Sequence, residues 1–300
     1  MKVLVVGDVM VDIYSKGSVH RVNPEFPSLI LTTYDYSEIS VFPGGAANVA
    51  ANIRALGAQV TLAGVVGNDL QAHMLEKMLK DIGVQTHFLS IAGPTTTKMR
   101  FVDNEFGAVL LRWDVERVRP QTPFARFFAE NVNLSEFDAI VVSDYNKGVI
   151  TKELLDILRG NVLYVDAKPK NKDLYKHIPI RLLKINRSEA AAYAGTEGSP
   201  DLLAKKILKD YKVDYLLITL GSEGACIFGE EKIYVPVKES EAKSVAGAGD
   251  VLLAYLVTKD ISEKSLREGI ELVSRLVKRS GTVRVYEQTW TFENTIESCR

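Results

Sequence analysis

An aspartate placed behind a run of small residues can handle a proton beside an anion, and Lys243-Ser244-Val245-Ala246-Gly247-Ala248-Gly249-Asp250 has that form. It leads directly into the apolar stretch 251–257, which reads as a helix. The small residues then expose backbone N–H groups at the positive end of the helix dipole, a place for a developing phosphate charge. Asp250 falls in the first turn, where the dipole is expected to favour its anion and leave it a weak base that accepts a proton late. Phosphoryl transfer tolerates such a base, because its loose transition state asks mainly for positioning and charge stabilisation. Taken alone, the string also fits an ordinary helix start. A second group combines Gly7-Asp8-Val9-Met10-Val11-Asp12, read as two carboxylates on a turn, with Phe42-Pro43-Gly44-Gly45-Ala46-Ala47-Asn48 entering a helix. Gly44 and Gly45 let a ligand approach the backbone, Asn48 can bond hydroxyls, and Asp8 and Asp12 can accept from them, a set suited to a sugar. Read singly, these are solvated turn acids and a plain glycine turn.

Other chemistries find no support. There is no G-x-x-x-x-G-K-[ST] phosphate loop, no G-x-G-x-x-G after a strand and no G-x-S-x-G nucleophile elbow. His20, His73, His87 and His177 stand apart without ligand spacing, and Cys226 and Cys299 are too few for a disulfide framework or a thiolate cage. A reducing, cytoplasmic setting is the expectation. The 37 Lys plus Arg against 38 Asp plus Glu give a net charge of −1, which offers no electrostatic footprint for nucleic acid or an acidic membrane. Residues 3–6 follow Met1-Lys2 too closely for a signal sequence, and no apolar run approaches a membrane span.

The elements that must position these residues follow one rhythm. Short apolar runs at 3–6, 60–66, 140–142, 162–165, 182–185 and 215–219 alternate with amphipathic stretches at 46–56, 69–82, 152–158, 201–211, 249–257 and 266–278. That is the pattern of an α/β doubly wound, mostly parallel sheet with helices on both faces. In such sheets ligands bind at the carboxyl ends of the strands, where the polar residues above fall. Residues 14–42 and 95–113 alternate polar and β-favouring types without a helix between them, and are expected to form antiparallel strands outside the main sheet, a small β lid. No linker or fixed-period repeat appears, so residues 1–300 are read as one domain with a lid.

The ordered set resembles the ribokinase-like sugar kinases, the phosphofructokinase-B class, over nearly the whole chain. The matching stations are residues 7–12, Gly44-Gly45 to Asn48, Asn186-Arg187-Ser188-Glu189 as the family's N-x-x-E, Thr219-Leu220-Gly221-Ser222-Glu223-Gly224 as its T-x-G-x-x-G, and Gly247 to Asp250 as its catalytic signature. The resemblance implies a ribokinase-like fold and ATP-dependent, Mg²⁺-requiring phosphorylation of a sugar. By it, Asp250 takes the proton of the attacking hydroxyl, and the amides of Ala248 and Gly249 help form an anion hole. It also implies that Asn186 and Glu189 organise Mg²⁺ and phosphate through water, that Thr219, Gly221 and Gly224 line the nucleotide phosphates, and that the late helix brings Ser274 to the nucleotide. A helix cap followed by a first-turn acid is the plainer account of Asn186 and Glu189.

Finer features look like the subgroup that phosphorylates heptose 7-phosphate at the anomeric carbon, on the route to nucleotide-activated heptose for surface polysaccharides. They are residues 7–12, Arg21-Val22-Asn23-Pro24-Glu25, residues 43–50, Thr97-Lys98-Met99-Arg100, Arg112-Trp113-Asp114 and Ser143-Asp144-Tyr145-Asn146-Lys147-Gly148. Lys98, Arg100 and Arg112 put positive charge on the lid, where a substrate phosphate could be clamped; solvated surface charge is the plainer alternative. Asp144 joins the expected substrate-binding set. The pattern departs from the family at Ser244 and Ala246, which stand where an Asp and a Thr usually precede the base and support a monovalent-cation site, and at Val251. Those changes argue against potassium activation and leave open a kinase of another sugar, or a weakened sugar-phosphate binder. A homodimer through the lid strands, and a nucleotidyltransferase supplied by a separate enzyme, are the expected partners.

Overall fold

The computed structural model describes residues 1–116, 118, 120–237, 242–279 and 281–297, and Cys299 lies outside them. In chain order the strands are β1 (Lys2–Gly7), β2 (Val9–Val22), β3 (Leu29–Thr32), β4 (Ile39–Gly45), β5 (Gln59–Val66), β6 (Gln85–Ser90), β7 (Thr97–Asp103), β8 (Val109–Val115), β9 (Ala139–Asp144), β10 (Leu163–Ala167), β11 (Ile180–Asn186), β12 (Val213–Thr219), β13 (Ala225–Phe228), β14 (Lys232–Val235) and β15 (Trp290–Thr291). The helices are α1 (Ala46–Ala55), α2 (Leu70–Asp81), α3 (Thr122–Asn131), α4 (Lys152–Leu158), α5 (Arg187–Ala194), α6 (Pro200–Asp210), α7 (Ala248–Thr258), α8 (Glu263–Leu276) and α9 (Phe292–Glu297).

The main sheet has nine strands in the order β14-β13-β12-β11-β10-β9-β1-β5-β6. Seven run parallel, and β13 and β14 close one edge antiparallel. Period-two alternation divides the side chains between two cores. Val3 and Val5 of β1 pack with residues of α1, α2, α7 and α8, while Leu4 and Val6 pack with residues of α3, α4, α5 and α6. Burial on both faces is why these strands read as continuous apolar runs rather than as alternation. The apolar rhythm does not announce α3. Its Phe124 and Phe128, four residues apart, are fully buried in the second core, and Pro123 opens the helix where a missing N–H costs nothing.

The lid is a second sheet, in the order β15-β4-β2-β7-β8 with β3 added to β2. It differs from expectation in two respects. β2 and β7 are parallel, although β2–β4 and β7–β8 are antiparallel as expected. The lid also begins earlier than residue 14: β2 starts at Val9, directly after β1, and its first seven residues are buried. Asp12 therefore sits on a strand, not a turn. At the other end, β4 passes through Gly45 straight into α1. Gly45 has φ of 55°, and a Cβ there would stand 2.5 Å from the carbonyl oxygen of Asp8, so only glycine makes this corner.

Asp8 fastens the loop after β9. Its carboxylate accepts from the backbone N–H groups of Tyr145 (2.8 Å), Lys147 (2.9 Å) and Val149 (3.2 Å). Asp144 does parallel work, accepting from the Asn146 N–H, the Asn171 amide and the Tyr175 hydroxyl. Burial pushes the Asp8 carboxyl up to about 7, with Asp144 adding to the rise and the three N–H groups opposing it. No helix among the described residues is long and apolar enough to cross a membrane.

Candidate active site

A cavity of about 1230 Å³ opens where β10, β11 and β12 end and α7 begins. Gly247, Ala248, Gly249 and Asp250 form one wall, and Asn186, Glu189, Thr219, Gly221, Gly224 and Ser274 line the rest with Val273, Val277 and Lys278. The loops and helix ends thus bring together the catalytic and nucleotide-side residues that the sequence singles out. Charged and aromatic lining residues outside that set include Tyr145, Asp166, Lys168 and Lys184.

Asp250 is only 4% exposed, in the first turn of α7. The Asn48 amide donates to its Oδ2 at 2.8 Å, and the Tyr145 hydroxyl donates to its Oδ1 at 3.0 Å. Asn48 is itself held, its Oδ1 accepting from the Asn52 amide at 3.1 Å and the Tyr286 hydroxyl at 3.4 Å. Asn48 positions the Asp250 carboxylate directly, a role its placement near a glycine pair did not reveal. The expectation that the dipole favours the Asp250 anion is overturned. Burial outweighs it and raises the carboxyl to about 6; Lys184, the Asn48 amide and the Tyr145 hydroxyl pull down, and Asp166 pushes up.

The anion hole also differs in detail. The Ala248 N–H donates to the Val245 carbonyl at 3.2 Å, whereas the Gly249 N–H has no acceptor among the described residues. Gly247, at φ of 89°, starts the helix where a Cβ would stand 2.8 Å from the Asn48 amide nitrogen.

Asn186 and Glu189 close a capping box on α5. The Asn186 side chain accepts from the Glu189 N–H at 2.9 Å, and Glu189 Oε2 accepts from the Asn186 N–H at 2.8 Å. The plainer reading is therefore realised, on the wall of the cavity. Glu189 Oε1 also pairs with Lys168 at 2.5 Å. No group of three or more acidic, His or Cys side chains among the described residues could cage a metal. The donor set fits a Mg²⁺ that arrives with nucleotide phosphates and is reached by Glu189 through water, the usual way this ion is held.

On the lid side the predicted residues separate into two kinds. Asp8 accepts from three backbone N–H groups of the loop after β9, and Asp144 from the Asn146 N–H of the same loop and from the Asn171 and Tyr175 side chains, so both carboxylates already have protein donors. Asp12 remains near the substrate side: Arg100 pairs with it at 2.9 Å, Thr282 donates to it at 3.3 Å, and a Cβ on Gly44 would stand 2.9 Å from its Oδ2. Arg112 is held bidentately by Asp114. Lys98 alone of the three lid cations makes no ion pair among the described residues. Its ammonium lies 5.5 Å from the Tyr145 ring centre, and Lys168 lies 5.3 Å from the same ring, so Tyr145 stands between lid and main sheet. Burial pulls the Lys98 ammonium below its ordinary range.

The pfkB family carbohydrate kinase model matches residues 1–278. The chain belongs to that family. It is an ATP-dependent sugar kinase in class. Among curated relatives it is 34% identical over 275 residues to a "Bifunctional protein HldE" of a Nitratiruptor species, covering 89% of this chain and 58% of that one. It is 35% identical over 266 residues to the protein of that name from Shewanella baltica, covering 86% and 55%. The chain thus spans little more than half the length of the curated relatives it matches. Among solved structures, phosphofructokinase-2 from Escherichia coli with substrates and products has a TM-score of 0.76 at 20% identity, over 99% of this chain and 98% of that one. Ribokinase from Thermotoga maritima has a TM-score of 0.70 at 19% identity, over 98% of both. These establish a ribokinase-like fold.

A base raised to about 6 predicts the acidic side of the pH–kcat profile. A base in that position has to be ionised to accept a proton, so with Asp250 in the role kcat should fall about tenfold per pH unit below that value and level off above it. Steady-state rates from pH 5 to 8 check this, and a profile flat down to pH 5 would remove Asp250 from the rate-limiting step.

Proposed function

We propose that this kinase transfers the γ-phosphoryl group of ATP to the anomeric hydroxyl of D-glycero-D-manno-heptose 7-phosphate, giving the 1,7-bisphosphate. The observation that carries this reading is the placement of Lys98, a lid cation without a carboxylate partner among the described residues, across Tyr145 from the Asp250 base. A neutral sugar offers such a cation only hydroxyl acceptors, whereas a phosphate at the far end of the substrate also matches its charge. The subgroup motifs and the similarity to the two bifunctional relatives support heptose over hexose.

In this mechanism the described chain works as one kinase unit with its lid. Gly44, Gly45 and Asp12 border the sugar, and the lid covers it to exclude water. The substrate hydroxyl takes the place of the Tyr145 hydroxyl at Asp250 Oδ1, while Asn48 keeps Oδ2 and so fixes the plane of the carboxylate. Asp250 accepts the hydroxyl proton, and the Gly249 N–H faces the charge that develops on the phosphoryl oxygens. Thr219, Gly221 and Gly224 border the nucleotide phosphates. Bound Mg²⁺ supplies charge neutralisation on those phosphates, with Glu189 as its protein anchor through water. Ser244 leaves no carboxylate and Ala246 no hydroxyl where the family's cation site has them, and we expect turnover without potassium.

The lid's outer strand supports a two-copy assembly. Val109, Leu111 and Trp113 alternate onto one face of β8 and are all more than half exposed on an unpaired edge. Sedimentation should show a dimer that Trp113→Glu converts to monomer; a monomeric parent would overturn this assembly.

ADP release with ATP and Mg²⁺ across heptose 7-phosphate, fructose 6-phosphate, ribose and adenosine, with and without potassium, tests the substrate. Turnover confined to the heptose phosphate is expected. Thermal stabilisation by a sugar phosphate without any turnover would instead make the chain a binding protein. Asp250→Asn should leave sugar affinity within a few fold and lower kcat by about two to four orders of magnitude. Unchanged turnover would sink the assignment of the base. Lys98→Ala should raise KM for the phosphorylated sugar far more than for its dephosphorylated form, and equal losses would make Lys98 structural.

A further inference from the structure

A parallel strand buried on both faces has little room for charge, yet β11 carries Lys184 inside the run Leu182-Leu183-Lys184-Ile185. Leu182, Lys184 and Asn186 project to one face. Leu182 lies in the core shared with α7, Asn186 lines the cavity at the strand end, and Lys184 stands between them, 7% exposed. Its ammonium pairs with Asp166, which is directly opposite on β10. That is its single hydrogen bond among the described residues, so two of its three protons remain unbonded on the cavity side.

The same ammonium is pressed against the start of α7. A Cβ built on Gly249 would stand 2.6 Å from Lys184 Nζ and 2.8 Å from its Cε. The absent side chain at Gly249 lets the end of the lysine lie directly against the helix start. Three features then meet at one point: a backbone N–H without an acceptor among the described residues, the Asp250 base one residue on, and a buried cation with free protons.

We infer that Lys184 is a catalytic residue of phosphoryl transfer, whose ammonium, fixed by Asp166 beneath Gly249, bonds the oxygens of the group in flight. The inference rests on the kinase reading above. The sugar oxygen bonds to the γ-phosphorus as the bond from that phosphorus to the bridging oxygen breaks. ADP leaves with the electron pair, and the hydroxyl proton goes to Asp250. Lys184 neither gives nor takes a proton; it offsets negative charge spread over the phosphoryl oxygens, where a preorganised donor is most effective. Arginine or lysine side chains used this way must be held in advance, and Asp166 does the holding.

Lys184 also acts on Asp250. The titratable groups facing that carboxylate are Lys184 from β11, Asp166 from β10, Tyr145 from the loop after β9 and Tyr286 from the segment after α8. Lys184 is the cation among them, so its loss raises the Asp250 carboxyl further and moves the acid limb of kcat to higher pH.

The test compares the parent with Lys184→Met and with Lys184→Met/Asp166→Leu, the second leaving no orphaned buried charge if the first fails to fold. MgADP affinity is measured calorimetrically with and without aluminium fluoride, a mimic of the phosphoryl group in transfer, alongside kcat and its pH profile. Both variants should bind MgADP within about threefold of the parent, lose most of the affinity gained with fluoride, and lower kcat by about 10²–10³. Lys184→Met should in addition shift the acid limb upward. Fluoride enhancement and kcat preserved in the double variant would show that Lys184 only neutralises Asp166, and no enhancement in the parent would equally overturn the inference. Failure of the parent to phosphorylate any sugar would count against the kinase reading alone, because the fluoride comparison decides Lys184 without an acceptor.

Discussion

Burying a carboxylate in the wall of the cavity sets the terms for everything around it. Asp250 loses water's stabilisation of its anion, and the protein replaces that water with an amide, a phenol and a nearby ammonium. Each replacement comes from a different element: Asn48 from α1, Tyr145 from the loop after β9, Lys184 from β11. Those elements must therefore meet at one point. The paired Asn48 and Asn52, the glycine corner at Gly45 and the Asp8 clip on the loop all serve that convergence.

The parallel sheet is what lets so short a chain achieve the convergence. Its strand ends lie in a row, so residues separated by more than two hundred positions, such as Asn48 and Asp250, come into hydrogen-bond contact. Both cores are apolar nearly to the strand ends and then turn polar within one or two residues. The change occurs at Asp166, Lys184 and Asn186, and it marks the floor of the cavity.

Much of this was legible in the sequence because the main strands are buried on both faces and read as apolar runs. The glycine-rich entry to α7 and the N-x-x-E and T-x-G-x-x-G stations fall on the wall of one cavity. What stayed hidden was pairing. Asp8 and Asp144 are the residue type a sugar would want, yet three-dimensional closure gives Asp8 three backbone N–H groups of a loop and Asp144 the Asn171 and Tyr175 side chains, partners that local pattern cannot foresee. The rise at Asp250 was missed for a related reason: a dipole argument is local, whereas desolvation depends on what folds over the helix start. The parallel pairing of β2 with β7 needed knowledge of where the chain returns after β6. Lys184 did leave a signal, a charge within a buried run, and a buried charge requires a partner.

The junctions of the lid carry their own consequence. β2 continues from β1 across Asp8 alone, and β4 runs through Gly45 into α1, whose third residue is Asn48. Neither junction contains a slack loop. A displacement of the lid is thus transmitted as torque to the first turn of α1, and from there to the amide that orients the base. The strands that cover the cavity and the amide that sets the angle of the Asp250 carboxylate thus belong to one continuous run of chain.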